Sequence, residues 1–291
     1  MEKNTYSRSL YRLSIVFLSA FLLFSGSCNF RHEKLVGYVY VIEKNIRTPN
    51  DILPTANPVT PVVYRNTVSL DTLSVAQKKQ KFFDLMLPAI LVAKTNLDLA
   101  RKEIEKIYNT HHMPYNKLLH RDEANLQHWM KKFKTHDLHE LLVRMHTFPV
   151  SIVLAQAAIE SGWGTSRFFL QANNPFGMWS FDPKHQRVAA DSTRDGAKVY
   201  LRKFDDLEQA IDAYFVMLAT GKPFNAFRKA RLRTGDPDSL IQTLTLYSER
   251  REAYVQDLAK VIRTSHLKKY DTYAIAPDYI RKPHSIKAFE N

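Results

Sequence analysis

The spacing of apolar residues along the chain predicts a mainly α-helical protein. Ser74 can cap a helix, because the apolar side chains after it recur at steps of three and four residues as far as Leu91. Pro88 lies inside this pattern and is expected to kink or break the helix. A turn-rich, alternating stretch near residues 186–204 predicts one small β-hairpin. Further helical patterns cover residues 97–108, 122–134, 137–145, 152–159, 206–219, 237–247 and 251–264.

The residues before Ser74 follow a different pattern. Residues 35–43 are rich in β-branched and aromatic side chains, which favour a short strand. Prolines then interrupt the chain and discourage regular structure. We expect a tether in this stretch, with a small accessory strand as the alternative. The prolines are Pro49, Pro54, Pro58 and Pro61.

The first 28 residues have the features of an export signal. Basic residues precede a nearly uncharged apolar stretch from Leu13 to Phe24, which is too short for a comfortable membrane-spanning helix. Small residues then lead to Cys28, and this placement resembles a bacterial lipoprotein signal, in which cleavage precedes a cysteine that is then acylated. We expect an exported protein that is anchored to a membrane through Cys28. An ordinary signal peptide and an uncleaved anchor are the alternatives.

Composition and charge narrow the classes of protein and partner. The chain has 291 residues, of which 45% are hydrophobic, and this content excludes a disordered or low-complexity protein. The single cysteine excludes a disulfide framework within the monomer and a multi-cysteine zinc module. A formal net charge of +13 favours an acidic partner. Because export is expected, an anionic cell-wall polymer is favoured over nucleic acid.

Glu160 is the strongest candidate for a catalytic residue. It directly follows the apolar, alanine-rich run 152–159, which predicts a helix packed on several sides. Partial desolvation and the helix C-terminus both disfavour a negative charge there, so both raise the carboxyl pKa toward the range of a general acid. Gly162 and Gly164 permit a tight turn, and Trp163 offers a face for a sugar ring. A solvated glutamate beside an ordinary helix end is the alternative.

A second motif runs from Asn173 to Trp179 and reads NNPFGMW. The amides of Asn173 and Asn174 offer donors and acceptors that suit N-acetyl and hydroxyl groups. Phe176 and Trp179 offer flat apolar faces for a ligand. The alternative is an Asn-Pro turn with aromatic side chains in the core.

These two motifs, ESGWG at 160–164 and NNPFGMW at 173–179, resemble those of bacterial endo-β-N-acetylglucosaminidases, a family that includes flagellar peptidoglycan hydrolases and autolysins. The downstream residues YSER at 247–250 look most like the Bax-like branch of that family. The likeness covers roughly residues 120–266. It implies a lysozyme-like α+β fold with a cleft, and cleavage of the β-1,4 bond after N-acetylglucosamine in peptidoglycan.

The resemblance also implies roles for single residues. Glu160 falls on the general acid of the family, and the segment that begins at Asn173 falls on residues that line the cleft. A tyrosine in the later helices is associated with catalysis in the family. Tyr254 matches that position best, and Tyr247 is second.

The second carboxylate is less clear. In the family an acid often lies on a flexible hairpin, and the hairpin predicted here contains Asp191 and Asp195. Asp195 and Gly196 are equally typical of a hairpin turn. The separation of the two carboxylates decides between an inverting and a retaining mechanism, and the sequence does not give that separation. An inverting, a retaining and an acetamide-assisted mechanism therefore all stay open.

The histidines lack a matching acidic ligand, so we expect no metal ion, and we expect no cofactor. We divide the chain into five segments. A muramidase or lytic transglycosylase on the same scaffold is one alternative, and a non-catalytic wall-binding protein is another. The segments are a signal peptide at 1–27, the tether at 28–72, a helical extension at 73–120, the catalytic domain at 121–270 and an irregular tail at 271–291.

Overall fold

The computed structural model describes residues 33–111, 120–194 and 197–281. The helices are α1 (Val75–His111), α2 (His120–Lys132), α3 (Leu138–Arg144), α4 (Val150–Glu160), α5 (Arg167–Ala172), α6 (Leu207–Thr220), α7 (Asn225–Ala230), α8 (Pro237–Ile241) and α9 (Glu252–Thr264). The strands are β1 (Glu33–Val36), β2 (Val39–Lys44), β3 (Val62–Tyr64), β4 (Arg187–Arg194) and β5 (Ala197–Arg202). The predicted fold class, mainly α with a small β-hairpin, is confirmed.

Helix α1 is the long central element. The backbone N–H of Gln77 donates to Oγ of Ser74 at 3.4 Å, and the Ser74 N–H donates to Oε1 of Gln77 at 3.2 Å. This reciprocal pair caps the start of the helix as expected. The helix is 37 residues long and contains Pro88, so the proline does not divide it. Its buried side chains pack against α4 and α6, and the predicted extension is therefore part of the core.

The stretch expected to be a tether forms a small sheet instead. Strand β2 pairs antiparallel with β1 and parallel with β3. Val39, Val41 and Val62 are buried in the same hydrophobic core as the helices. The prolines do not prevent this, because they lie in the connection between β2 and β3, where Pro49 begins a 3-10 turn. The expected tether is thus wrong for residues 33–64, which belong to the packed domain.

The predicted hairpin is present as β4 and β5, which pair antiparallel with a shift in register between Ala189 and Thr193. The chain after the second motif joins this hairpin, since Ser180 N–H donates to Tyr200 O at 2.8 Å and Arg202 N–H donates to Met178 O at 2.9 Å. The hairpin is thereby attached directly to the NNPFGMW segment.

The two ends of the chain fall mostly beyond the described ranges. The expected signal peptide and Cys28 lie outside them. The tail is described as far as residue 281, and Ile275 and Ile280 form single bridges with Val59 and Val39. Across the described ranges, no helix combines the length and the apolar composition needed to cross a bilayer.

Candidate active site

Helix α4 carries Glu160 as its last residue and is held at both ends. Residues 150–158 are buried, so the helix has little freedom to move within the core. At its first turn, the carboxylate of Asp271 accepts from the Ser151 N–H at 2.7 Å and from the Ser151 hydroxyl at 2.8 Å. A carboxylate at this helix end also complements the helix dipole. The position of Glu160 is therefore set by a fixed helix.

The turn after Glu160 reverses the chain sharply. The Ser161 hydroxyl donates to Ala157 O at 2.6 Å and accepts from the Gly164 N–H at 2.9 Å. Gly164 has a φ of +80°, and a Cβ there would lie 3.1 Å from the Phe82 ring. Glycine is required on both grounds.

Trp163 is anchored to α1 by this turn. Its ring lies edge-on to Phe82 and Phe83, with centroid distances of 5.9 and 5.7 Å. The ammonium group of Lys79 lies 4.7 Å from the ring centroid. Trp163 therefore contacts three side chains of the same helix, and its predicted contact with a sugar ring stays a prediction.

The Glu160 carboxyl group is half-buried, and its surroundings determine its acidity. Burial raises its pKa, while a hydrogen bond with the Tyr254 side chain acts in the opposite direction. The end of the helix adds to the effect of burial, because negative charge is disfavoured there. A carboxyl group with a raised pKa keeps its proton to higher pH, which is what a general acid requires.

Tyrosines from two later segments surround this carboxyl group. Tyr254, on α9, is buried and hydrogen-bonds Glu160. The ring of Tyr247 stacks on that of Tyr254, with centroids 5.3 Å apart and planes 10° apart. The structure therefore brings Glu160, Tyr254 and Tyr247 together, and the catalytic role of a tyrosine stays a prediction.

Two further polar residues in this cluster were missed in the sequence. Gln156 is fully buried on α4, one turn before Glu160, and its amide Nε2 donates to the Tyr254 hydroxyl at 3.1 Å. The buried hydroxyl of Tyr214, on α6, donates to Oε1 of Gln156. A glutamine inside an otherwise apolar helix, four residues before the acid and on the same face, was the available signal.

The asparagine side chains of the second motif bind backbone carbonyl groups. Nδ2 of Asn173 donates to Arg65 O and Phe204 O at 3.1 and 3.0 Å. Nδ2 of Asn174 donates to Met178 O and Arg202 O at 3.0 and 2.9 Å. Their donors thus join the loop to the sheet and the hairpin, and the predicted contacts with a glycan stay a prediction.

The two aromatic residues of that motif have different environments. Phe176 is buried, and its ring stacks on Tyr214 at a centroid distance of 4.0 Å and an angle of 12°. Trp179 is 39% exposed and lies 5.9 Å from the ring of Phe181, which is 83% exposed. Trp179 and Phe181 therefore offer an aromatic surface to solvent, while Phe176 supports Tyr214 from inside.

The two candidate second acids are less well defined. The Asp191 side chain is 84% exposed, and its Oδ1 accepts from Nη1 of Arg167 at 2.7 Å. Nη2 of the same arginine donates to Ala189 O at 2.8 Å, so Arg167 ties α5 to the hairpin. Asp195 lies outside the described residues. In the ranges that the structure covers, no three His, Cys, Asp or Glu residues are grouped closely enough to hold a metal ion.

Comparisons with known proteins show the family to which the chain belongs. Residues 135–286 match the family model described as mannosyl-glycoprotein endo-beta-N-acetylglucosaminidase. The chain is 33% identical to protein bax of Escherichia coli over 120 residues, which are 39% of this chain and 42% of that relative. The match thus spans less than half of the relative's length.

The solved structures to which the chain shows some similarity include two enzyme domains. One is the catalytic domain of the autolysin Auto from Listeria monocytogenes, with 17% identity, coverage of 57% of this chain and 97% of that chain, and a TM-score of 0.38. The other is a glycoside hydrolase domain of FlgJ from Salmonella typhimurium, with 18% identity, coverage of 48% and 96%, and a TM-score of 0.33.

Proposed function

The chain belongs to the mannosyl-glycoprotein endo-beta-N-acetylglucosaminidase family of glycoside hydrolases, and from this premise we propose that it is an exported enzyme that cuts peptidoglycan. The bond cleaved is the β-1,4 bond after N-acetylglucosamine, and Glu160 is the general acid. The environment of Glu160 is the single observation that carries the proposal.

The proposed chemistry needs a proton at the glycosidic oxygen. As the bond between the anomeric carbon and this oxygen breaks, the Glu160 carboxyl group donates its proton to the departing sugar hydroxyl. Water supplies the hydroxyl group that the anomeric carbon gains, and its remaining proton restores Glu160. Burial favours the protonated state from which this step begins.

Charge supports an anionic polymer as the substrate. Residues 1–27 contain three basic residues and one acid, so their removal changes the formal net charge of +13 by 2 and leaves +11. A surface of this charge attracts an anionic wall glycan over distances of about one Debye length, roughly 8 Å at physiological salt. A mannosyl-glycoprotein glycan is the competing substrate and is included in the test.

Digestion of both substrates tests the proposal. Wild-type protein is incubated with purified peptidoglycan and with a mannosyl-glycoprotein, and the released fragments are identified by mass spectrometry after reduction. We expect peptidoglycan fragments with a reducing N-acetylglucosamine end, and none with the matched variant Glu160→Gln. A reducing N-acetylmuramic acid end would indicate a muramidase instead, and an anhydro end a lytic transglycosylase. Binding without any fragment would indicate a non-catalytic protein.

Membrane anchoring through Cys28 is a separate part of the proposal. It rests on the sequence pattern of the first 28 residues. We expect the native protein to partition into detergent and to carry a lipid mass on Cys28, because two or more acyl chains hold a protein firmly at a bilayer. Cys28→Ala should abolish both properties. Normal cleavage with unchanged membrane retention in that variant would contradict the lipid anchor.

A further inference from the structure

A continuous line of buried hydrogen bonds connects the core to Glu160. The Tyr214 hydroxyl donates to Oε1 of Gln156, and Nε2 of Gln156 donates to the Tyr254 hydroxyl at 3.1 Å. Tyr254 in turn hydrogen-bonds the Glu160 carboxyl group. Gln156 and Tyr214 are fully buried, and Tyr254 is nearly so. We call these four residues the hydrogen-bond relay.

The chemistry of each group gives the relay a direction. An amide nitrogen only donates, so the bond from Gln156 occupies an acceptor position of the Tyr254 oxygen and leaves its single proton for Glu160. If the amide were turned over, Oε1 of Gln156 would face Tyr254 and would compete with Glu160 for that proton. Turning the amide over would leave the proton of the buried Tyr214 hydroxyl without its acceptor Oε1, so this hydrogen bond disfavours the turn.

We propose that Gln156 and Tyr214 are positioning residues, which together hold the Tyr254 hydroxyl so that its proton points at the Glu160 carboxyl group. The proposal deepens the proposed function and rests on Glu160 as the general acid. Tyr254 contacts the acid directly, whereas Gln156 and Tyr214 act only through it.

Packing restricts the other motions that would break the relay. Phe176 stacks on the ring of Tyr214, and Tyr247 stacks on the ring of Tyr254. These contacts hold the two side chains against displacement, so the hydroxyl groups keep their partners. The relay is therefore enclosed by aromatic surfaces at both tyrosines.

The titratable groups around the relay are tyrosines and one arginine. Burial raises the pKa of Tyr214, Tyr247 and Tyr254, so each phenol keeps its proton and can donate. The Arg231 guanidinium is buried and close enough to Tyr214 to act against this effect. Nη2 of Arg231 donates to Val143 O at 3.0 Å and to Arg144 O at 2.9 Å.

Tyr214→Phe tests the relay because it removes the group that fixes the amide. Gln156 can then turn over, Tyr254 donates to it, and Glu160 loses a hydrogen bond that lowers its pKa. The pKa of Glu160 should rise, so the alkaline limb of the kcat/KM profile should move up by about half a pH unit or more. Selective ¹³C labelling of glutamate carboxyl groups follows the same titration by NMR without turnover.

Two further variants define what counts as support. Tyr254→Phe should move the titration in the same direction, and adding Tyr214→Phe to it should move it no further, because Tyr214 acts through Tyr254. Gln156→Met, which removes the competing oxygen at similar volume, should leave the titration unmoved and should suppress the shift caused by Tyr214→Phe, whereas an upward shift in Gln156→Met alone would contradict the relay. This variant keeps the test available if Tyr214→Phe does not fold.

Tyr64→Phe is the matched control. Tyr64 is a buried tyrosine whose hydroxyl accepts from the Leu53 N–H at 2.9 Å, outside the relay. This variant should lower the melting temperature without moving the Glu160 titration. The same result for Tyr214→Phe would overturn the relay. An active Glu160→Gln variant would instead overturn the proposed function, and the NMR titration would still decide the relay.

Discussion

The helical side and the hairpin side of the candidate site hold their carboxyl groups in opposite environments. On the helical side, Glu160 is half-buried, and burial raises its pKa while the Tyr254 hydroxyl bonds to it. On the hairpin side, Asp191 is 84% exposed and forms an ion pair with Arg167 at 2.7 Å. The first carboxyl group is surrounded by aromatic residues, and the second by water and a guanidinium group.

This difference shows how the surroundings within one fold can give two carboxyl groups different chemical roles. A desolvated carboxyl group favours the neutral form and can donate a proton, whereas the Asp191 carboxylate pairs with Arg167 and holds it beside the hairpin. The helical side is also built on α4, which is fixed at both ends, so it is suited to hold a proton donor in place.

Glu160→Gln should give the largest effect and tests the helical side directly. Glutamine keeps the size and much of the hydrogen bonding of glutamate but has no acidic proton. Since general acid catalysis contributes about 10²–10⁴-fold, kcat on peptidoglycan should fall on that order while binding is retained. Steady-state kinetics and a binding assay on the same substrate give the two quantities.

The melting temperature shows whether the Glu160→Gln variant is correctly folded. Because the pKa of Glu160 is higher in the folded protein than its ordinary value of 4.5, the folded protein loses stability as the pH rises from 4.5 toward the raised pKa. Above this window Glu160→Gln should therefore melt at the same temperature as the wild type or slightly higher. Near wild-type turnover by a well-folded Glu160→Gln protein would end the assignment of Glu160.

Glu208 on α6 tests whether burial raises the pKa of another carboxyl group among the helices, as it does for Glu160. Burial, and then the charges of Asp212 and Asp206, raise its pKa from 4.5 to about 8. The wild type should thus lose stability between about pH 4.5 and 8 as pH rises. Glu208→Gln removes this loss, so it should be more stable than the wild type at pH 8, by on the order of a few kcal/mol, and equal at pH 4.

Thermal melts across this pH range measure the effect. The matched control is Glu105→Gln, because Glu105 is a half-exposed glutamate on α1 that pairs with Arg101. The control should show no such pH-dependent gain. A pH-independent difference between Glu208→Gln and the wild type would mean that burial does not determine the titration of Glu208.

The parts of the site that could be predicted from sequence are those encoded locally. Glu160 could be recognised because the apolar run and the turn glycines lie directly beside it. The relay could not, because Gln156 and Tyr214 are 58 residues apart in the chain and Tyr254 is 98 residues from Gln156. Only the packing of α4, α6 and α9 brings these side chains together.

A strand was expected within residues 35–43, but its pairing with β3 could not be predicted for a similar reason. Strand β3 has three residues, and its pairing with β2 is parallel across a connection that contains four prolines. A short strand has no distinct periodicity of its own. The backbone partners of the asparagine pair could not be predicted either, because a side-chain amide has the same donors whether its partner is a sugar or a backbone carbonyl.

Asp191→Asn should give the smallest effect and tests the hairpin side. Asparagine keeps an acceptor for Arg167, which also donates to Ala189 O at 2.8 Å, so the hairpin should stay attached. An exposed ion pair contributes about 0–1 kcal/mol, and the melting temperature should hardly change. We expect kcat to fall by less than about tenfold, and by less than in Asp195→Asn, if Asp191 serves to hold the hairpin rather than to assist the reaction. A loss of kcat as large as that of Glu160→Gln, measured at the same pH on the same peptidoglycan, would assign Asp191 to the chemistry and remove the contrast between the two sides.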